Sequence, residues 1–204
     1  MQVVLVRHGQ TDWNREGRFQ GRTDIPLNDV GRSEASLARD HLGLQSWDCI
    51  VSSPLSRARE TATIINEKIN RNIIIMEEFI EQCFGEAEGL LYHEIETNYG
   101  HVMNIPNRES SESIGNRILL GMEKVLQLPY KKVIIVAHAV AINKMLCIIE
   151  HGLIKETYYT LNNCGVSHIS YINNQWKIDR INEISHLDSK GTQYNEKLKT
   201  IISQ

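Results

Sequence analysis

The chain has 204 residues, 41% of them hydrophobic and 23% charged, with a net charge of −3, the balance of a globular protein long enough to bury a full core. The small negative charge excludes a nucleic-acid binder held by phosphate contacts, and no apolar run approaches the roughly 20 residues of a membrane helix. Cys49, Cys83, Cys147 and Cys164 stand at no metal-ligand or redox spacing. With an N-terminus that enters a strand rather than a leader, they point to a cytoplasmic chain with reduced thiols, two of them filling the core.

Residues 3–6 (Val-Val-Leu-Val) form an unbroken apolar run stopped by Arg7-His8-Gly9, which reads as a strand buried on both faces in a parallel sheet. Ligands gather at the carboxyl end of such strands. An arginine and a histidine delivered there, with a glycine that lets the backbone pass close to a ligand, suggest an anion site holding a nucleophile or base. The polar stretch 10–24 reads as a long loop, and long ordered loops are more often functional than idle. Beyond it Asn28 is placed to cap a helix over 29–41, with Ala35, Ala38 and Leu42 on its inner face.

Residues 48–52 are the second expected strand. Ser53-Pro54 then opens a helix to about residue 70, a cap followed by proline in the first turn, with Ala58, Ala62 and Ile65 on one face. Arg57 falls in that first turn. A cation gains nothing there from the helix dipole, and a bound anion would reverse that balance; taken alone, Arg57 reads more readily as a surface arginine. Residues 73–75 make a third strand, which runs off through an acidic stretch containing Glu81. Gly85, Gly89, Gly100 and Pro106 punctuate 82–113, expected to be irregular. A helix over 113–126 comes next, then a strand over 132–136 that ends at Ala137-His138-Ala139 and leads directly into a helix over 140–149. Two strand-to-helix junctions thus each present a histidine. Residues 166–171 and 176–181 alternate about Ile172-Asn173-Asn174-Gln175, a hairpin signal. The polar tail, 182–204, is expected to be peripheral, with a short helix over 194–202. The reading is one α/β domain over 1–204.

With Arg7-His8-Gly9, Arg57 and His138 in place, the sequence resembles the histidine phosphatase superfamily, the phosphoglycerate mutase-like fold. The resemblance runs in order through Leu5-Val6-Arg7-His8-Gly9-Gln10-Thr11 with Trp13-Asn14, and Phe19-Gln20-Gly21 with Asp24, Pro26-Leu27 and Gly31. It continues through Ser52-Ser53-Pro54-Leu55-Ser56-Arg57-Ala58 with Thr61-Ala62, Glu81 with Phe84-Gly85 and Glu88-Gly89, and Val136-Ala137-His138. Glu109-Ser110 with Arg117, and Asn182-Glu183 with Ser185-His186-Leu187, also fit. It implies a three-layer α/β/α architecture, a mostly parallel central sheet with helices on both faces, and residues 82–113 as a substrate lid.

The resemblance also assigns roles. His8 would attack phosphorus through one ring nitrogen and carry a phosphohistidine, which neutral imidazole can do near pH 7. Arg7 and Arg57 would clamp the phosphoryl oxygens. His138, working best protonated, would donate to the transferring group, and Asn14, Gln20, Gly21 and the Ala139 N–H would add contacts. Glu81 would be the acid for the leaving oxygen and then the base for water, with its pKa raised by burial or by the incoming dianion; an acidic run on the surface is the plainer reading of that stretch. No metal or other cofactor is implied, and a mildly acidic optimum is expected. Two departures stand out. Ala139 replaces a common glycine, which would strain a positive φ, and Ala87 replaces a larger residue, which would open the pocket.

Between 82 and 113 one strong base, Arg108, faces Glu86, Glu88, Glu94, Glu96, Glu109 and Glu112. That balance disfavours a highly anionic substrate. The expected activity is therefore hydrolysis of a small, less anionic phosphate monoester, as in the bacterial broad-specificity and α-ribazole phosphatases that the chain resembles. The alternatives are cofactor-dependent phosphoglycerate mutase-type transfer and a weakly active phosphate-binding regulatory protein. The expected partner is the small-molecule substrate, with no nucleic acid or membrane, the chain being a monomer or homodimer. His41, His93, His101, His151 and His168 read as loop or surface residues, and His186 as structural.

Overall fold

The computed structural model describes residues 1–152 and 158–187; the helix expected over 194–202 lies outside them. In chain order the elements are β1 (Gln2–Arg7), α1 (Asp12–Glu16), α2 (Asp29–Leu42), β2 (Cys49–Ser52), α3 (Ser56–Ile69), β3 (Ile73–Ile75), α4 (Tyr92–Tyr99), α5 (Ser111–Gln127), β4 (Lys132–Ala137), α6 (Ala139–His151), β5 (Val166–Ile172) and β6 (Gln175–Glu183). They build a six-stranded sheet in the order β3-β2-β4-β1-β5-β6. The first four are parallel neighbours, β5 runs antiparallel to β1, and β6 antiparallel to β5. The sheet is mostly parallel, as expected, with a hairpin completing one edge. Asn173 and Asn174 form its turn at φ 51° and 61°, the left-handed geometry that a two-residue hairpin loop requires and asparagine tolerates.

A parallel sheet needs cover on both faces, and β1 shows how the apolar run meets that need. Successive side chains of a strand point to opposite faces. Val3 and Leu5 join the core that holds Ile118 and Met122 of α5 and Ile142 and Met145 of α6, whereas Val4 and Val6 join the core that holds Ala35 and Ala38 of α2 and Ala58 and Ala62 of α3. The alanines keep α2 and α3 close to the sheet, and those two helices also pack on each other.

Several boundaries differ from expectation. The helix after β2 begins at Ser56, not Ser53, and the side chain that meets its first N–H is Asp24, whose Oδ1 accepts from the Ser56 N–H at 2.8 Å. Proline at 54 pushes residue 53 out of the helical region, so Ser53 is left to bond elsewhere. The loop 10–24 contains α1, started by a capping box in which Thr11 Oγ1 accepts from the Asn14 N–H at 3.1 Å and Asn14 Oδ1 accepts from the Thr11 N–H at 3.2 Å. The lid is not irregular throughout: α4 lies between Gly89 and Gly100. There the Glu94 carboxylate accepts from the Leu91 N–H at 2.7 Å, Ile95 faces a small lid core with Ala87 and Ile105, and Gly100 turns the chain at φ 70°. The segment 182–187, expected to be peripheral, packs into the fold. Asn182 exchanges two side-chain bonds with Asn162, His186 Nε2 lies 3.0 Å from the Cys164 carbonyl, and Leu187 is buried.

Candidate active site

Because β1, β2 and β4 are parallel neighbours, their carboxyl ends meet at one edge, and each leads into a functional side chain. β1 delivers Arg7 and His8, β2 leads through Ser53 to Arg57 in the first turn of α3, and β4 delivers His138 as the residue before α6. The His8 and His138 rings lie 5.1 Å apart. Thr61 of α3 ties two of these arms, its Oγ1 accepting from the Gly9 N–H at 3.0 Å and donating to the Arg57 carbonyl at 2.7 Å. Gly9 itself is required by close packing, since a Cβ there would meet the Gly31 carbonyl oxygen at 2.4 Å.

His8 is buried, with Nδ1 2.7 Å from the Gly9 carbonyl oxygen. A carbonyl can only accept, so Nδ1 carries the hydrogen and Nε2 of the neutral ring keeps its lone pair. Burial, then Arg57 and Arg7, push the His8 pKa well below 6.5, so the ring is neutral near pH 7. His138, fully buried, is likewise pushed well below 6.5 by burial, Arg57, His8 and Arg7. In the ligand-free protein the ring is therefore neutral near pH 7, because burial beside two guanidinium groups and a second ring makes a further cation costly; the expectation that His138 works protonated concerns the ring with a phosphoryl dianion beside it.

Arg57 is 1% exposed, and the loop 10–24 holds it through the Gly21 carbonyl at 2.7 Å from Nη2 and the Thr23 carbonyl at 3.0 Å from Nη1. Burial lowers its pKa to about 10. Arg7 Nη1 donates to the Leu161 carbonyl at 2.6 Å. In both arginines Nε is buried without a partner, and so is His138 Nδ1. Three buried ring or guanidinium nitrogens at one sheet edge thus lack acceptors among the described residues, a condition costing about 1–3 kcal/mol per group when nothing bonds to it.

Glu81, 6% exposed, is not part of a surface acidic run. Its Oε1 accepts from the N–H groups of Gln82 (2.9 Å) and Ala141 (3.2 Å), and Oε2 from Val140 (3.2 Å). The carboxyl group therefore sits against the N-terminus of α6, beside His138 and within the fields of Arg7 and Arg57. Ala139 opens α6 without a positive φ, so alanine there is unstrained, and its N–H is one of the donors that a helix start leaves unused.

The other expected contacts are mixed. Asn14 lies beside His8 through Asn163, whose Nδ2 donates both to the His8 carbonyl at 2.9 Å and to Asn14 Oδ1 at 3.2 Å. Asn14 Oδ1 is thus taken up by donors, leaving its NH2 as the group to offer a ligand. Gln20 is buried with Oε1 unpartnered. Gly21 acts through its carbonyl on Arg57. Ala87 is fully buried in the lid core, so the small residue does not open the pocket.

Sequence reasoning matched Glu88 and Glu109 to the family's pattern but gave no role to the residues that assemble the site rather than line it. Glu88 accepts from the Arg22, Thr23 and Phe84 N–H groups and from the Thr23 hydroxyl, at 2.5–3.0 Å. Glu109 holds Arg117 through two bonds and pairs with Arg22 at 3.2 Å. Glu94 caps α4. Three of the six lid acids are thus engaged in structural bonds, and the acidity counted from the sequence overstates what a substrate would meet. Tyr92 of α4 packs its ring on Phe19 at 4.5 Å and lies in the fields of Arg7 and Glu81; its only sequence signal is its place in the breaker-free stretch between two glycines.

The sequence profile of the histidine phosphatase superfamily, branch 1, matches residues 3–184. The uncharacterized phosphatase PhoE of Bacillus subtilis (strain 168) is 43% identical over 187 residues, covering 91% of this chain and 96% of the relative. The probable phosphoglycerate mutase GpmB of Serratia proteamaculans (strain 568) is 30% identical over 209 residues, covering 93% and 96%. Among solved structures, Bacillus stearothermophilus YhfR superposes with a TM-score of 0.82 at 24% identity, over 92% of this chain and 99% of that one, a likeness of fold.

Proposed function

The chain belongs to the histidine phosphatase superfamily, branch 1, and on that footing we propose that it is a metal-independent phosphatase that hydrolyses small phosphate monoesters through a phosphohistidine on His8. The family and its phosphatase relatives support the phosphatase activity. The observation that carries the finer reading is that Arg7 Nε, Arg57 Nε and His138 Nδ1 are buried without partners among the described residues, on the residues whose charges or ring lie next to a neutral His8 whose Nε2 holds a lone pair. A phosphoryl group supplies the acceptors those nitrogens lack.

In the first step His8 Nε2 attacks phosphorus, the P–O bond to the alcohol breaks, and the leaving oxygen takes a proton from the Glu81 carboxyl. Arg7 and Arg57 bear the charge on the non-bridging oxygens, with the Ala139 N–H and Asn14 amide as further donors. In the second step water attacks the phosphohistidine and gives a proton to the Glu81 carboxylate. The P–N bond breaks, and inorganic phosphate leaves a neutral His8. Glu81, held at the start of α6 by three N–H groups, moves little between the two roles. Cys49, Cys83 and Cys164 carry free thiols, which fits a cytoplasmic setting.

Phosphate release from p-nitrophenyl phosphate and from alkyl, sugar and nucleoside monophosphates tests the reading, with and without a chelator. His8→Ala is expected to lower kcat by about 10³-fold or more. Glu81→Gln is expected to lose about 10²- to 10⁴-fold on alkyl phosphates and much less on p-nitrophenyl phosphate, whose leaving group needs no proton. Equal losses on both would remove Glu81 from the acid role. The GpmB relationship and the three engaged lid acids keep phosphoryl transfer between phosphoglycerates in view: interconversion of 3-phosphoglycerate without net release would make the chain a mutase.

A further inference from the structure

Resting on the phosphohistidine reading, we propose that Ser53 is a positioning residue: its hydroxyl fixes which nitrogen of His138 carries the hydrogen and so turns that ring into a donor toward the phosphoryl group. Ser53 is fully buried, with Oγ 2.7 Å from His138 Nε2, and Oγ also accepts from the Leu55 N–H at 3.4 Å. A hydroxyl has one hydrogen to place. If His138 donated from Nε2, Ser53 Oγ would receive two donors and its own hydrogen would have no acceptor among the described residues. His138 Nδ1 would then turn a lone pair into the site. If Ser53 donates to Nε2, its hydrogen and its oxygen are both used, and Nδ1 carries the ring hydrogen.

The second arrangement agrees with what surrounds Nδ1. That atom is buried without a partner, as are Arg7 Nε and Arg57 Nε. With Nδ1 protonated, all three are donors and form a set that an anion completes; with a bare Nδ1 the set would oppose the anion with a lone pair. The Ser53 hydroxyl hydrogen has no other acceptor among the described residues: the first N–H of α3 is taken by Asp24, whose Oδ1 accepts from the Ser56 N–H at 2.8 Å, and the neighbouring Ser52 hydroxyl is committed to the Ser53 carbonyl at 2.9 Å. The ring hydrogen stays on Nδ1 through both chemical steps, and no bond to Ser53 forms or breaks.

Nitrogen-15 spectra of the imidazole groups test this directly, with the His138 signals assigned by His138→Gln. The wild-type protein, with and without orthovanadate, is expected to show His138 protonated on Nδ1, and Ser53→Ala to shift it toward Nε2 or a mixture. For p-nitrophenyl phosphate, Ser53→Ala is expected to lower kcat by about 10- to 100-fold, the loss typical when the second partner of a functional histidine is removed, with KM and thermal stability little changed. Ser53→Thr, which keeps the hydroxyl, is expected to restore both tautomer and rate. Protonation on Nε2 in the wild type overturns the proposal, even if both Ser53 variants fail to fold. So does a Ser53→Ala protein in which tautomer and kcat do not change together. A wild type without turnover would defeat the phosphatase reading, while the spectra would still decide the tautomer.

Discussion

His8 and His138 share a constraint that has consequences for pH. Both rings are pushed well below 6.5 by burial and by Arg57 and Arg7, so in the free enzyme neither gains a proton between neutrality and mildly acid conditions. Once the substrate's own second ionisation at about pH 6 is divided out, the acid limb of kcat/KM, which reports the free enzyme, is therefore expected well below pH 6.5, and an enzyme group titrating near 6.5 would contradict the neutral pair. Stability has a definite sign as well. Below 6.5 the unfolded chain protonates these histidines while the folded one does not, so the unfolded state binds more protons and stability falls as pH drops. The loss is up to about 1.4 kcal/mol per pH unit for each ring, and it disappears above 6.5, where both states hold them neutral. Urea titrations from pH 7.5 down to about 5.5 check it, and His138→Gln should reduce the slope.

At the scale of elements, the loop 10–24 and the lid act as one body because Glu88 bonds three backbone N–H groups and a hydroxyl across them. That loop also carries the carbonyls of Gly21 and Thr23 that hold Arg57. Loosening the tie therefore reaches Arg57, the proposed phosphate clamp, without touching it. Glu88→Ala is expected to cost about 1–3 kcal/mol, to raise KM more than it lowers kcat, and to speed proteolysis within 17–24. Gly21→Ala should act alike by another route: φ is +56°, and the new Cβ would meet Glu88 Oε1 at 2.0 Å. If Glu88→Ala leaves KM unchanged, the loop is held by other contacts.

For the whole molecule, two cores on opposite faces of the sheet keep four parallel strands in register, and the site occupies their common edge. Damage confined to a core should lower stability while sparing chemistry. Ile118 of α5 is fully buried in the core on the α5–α6 face. Ile118→Ala is expected to cost about 2–5 kcal/mol by urea unfolding, with kcat per folded molecule retained. A parallel loss of kcat would mean that α5 packing sets the position of α6, and with it His138 and Glu81.

What the sequence determined by itself is what local physics controls. An apolar run with β-branched residues must be a buried strand, Asn28 must cap the helix after it, and Asn173-Asn174 between alternating runs must turn a hairpin. Arg7-His8, Arg57 and His138 could be read as one site because parallel strands bring their ends together, and the family resemblance was carried by those same residues in order. Tertiary structure decided what depends on partners distant in the chain. Composition did not set Glu81 apart from its acidic neighbours, and only the family resemblance selected it; the N–H groups at the start of α6 give that choice its physical ground. Ser53 looked like a helix cap until His138, 85 residues away, took its hydroxyl. Glu88 and Glu109 looked like lid charge until Thr23, Arg22 and Arg117 engaged them. The charge states of His8 and His138 were decided there too, because desolvation and the fields of two arginines are properties of a packed edge rather than of a motif.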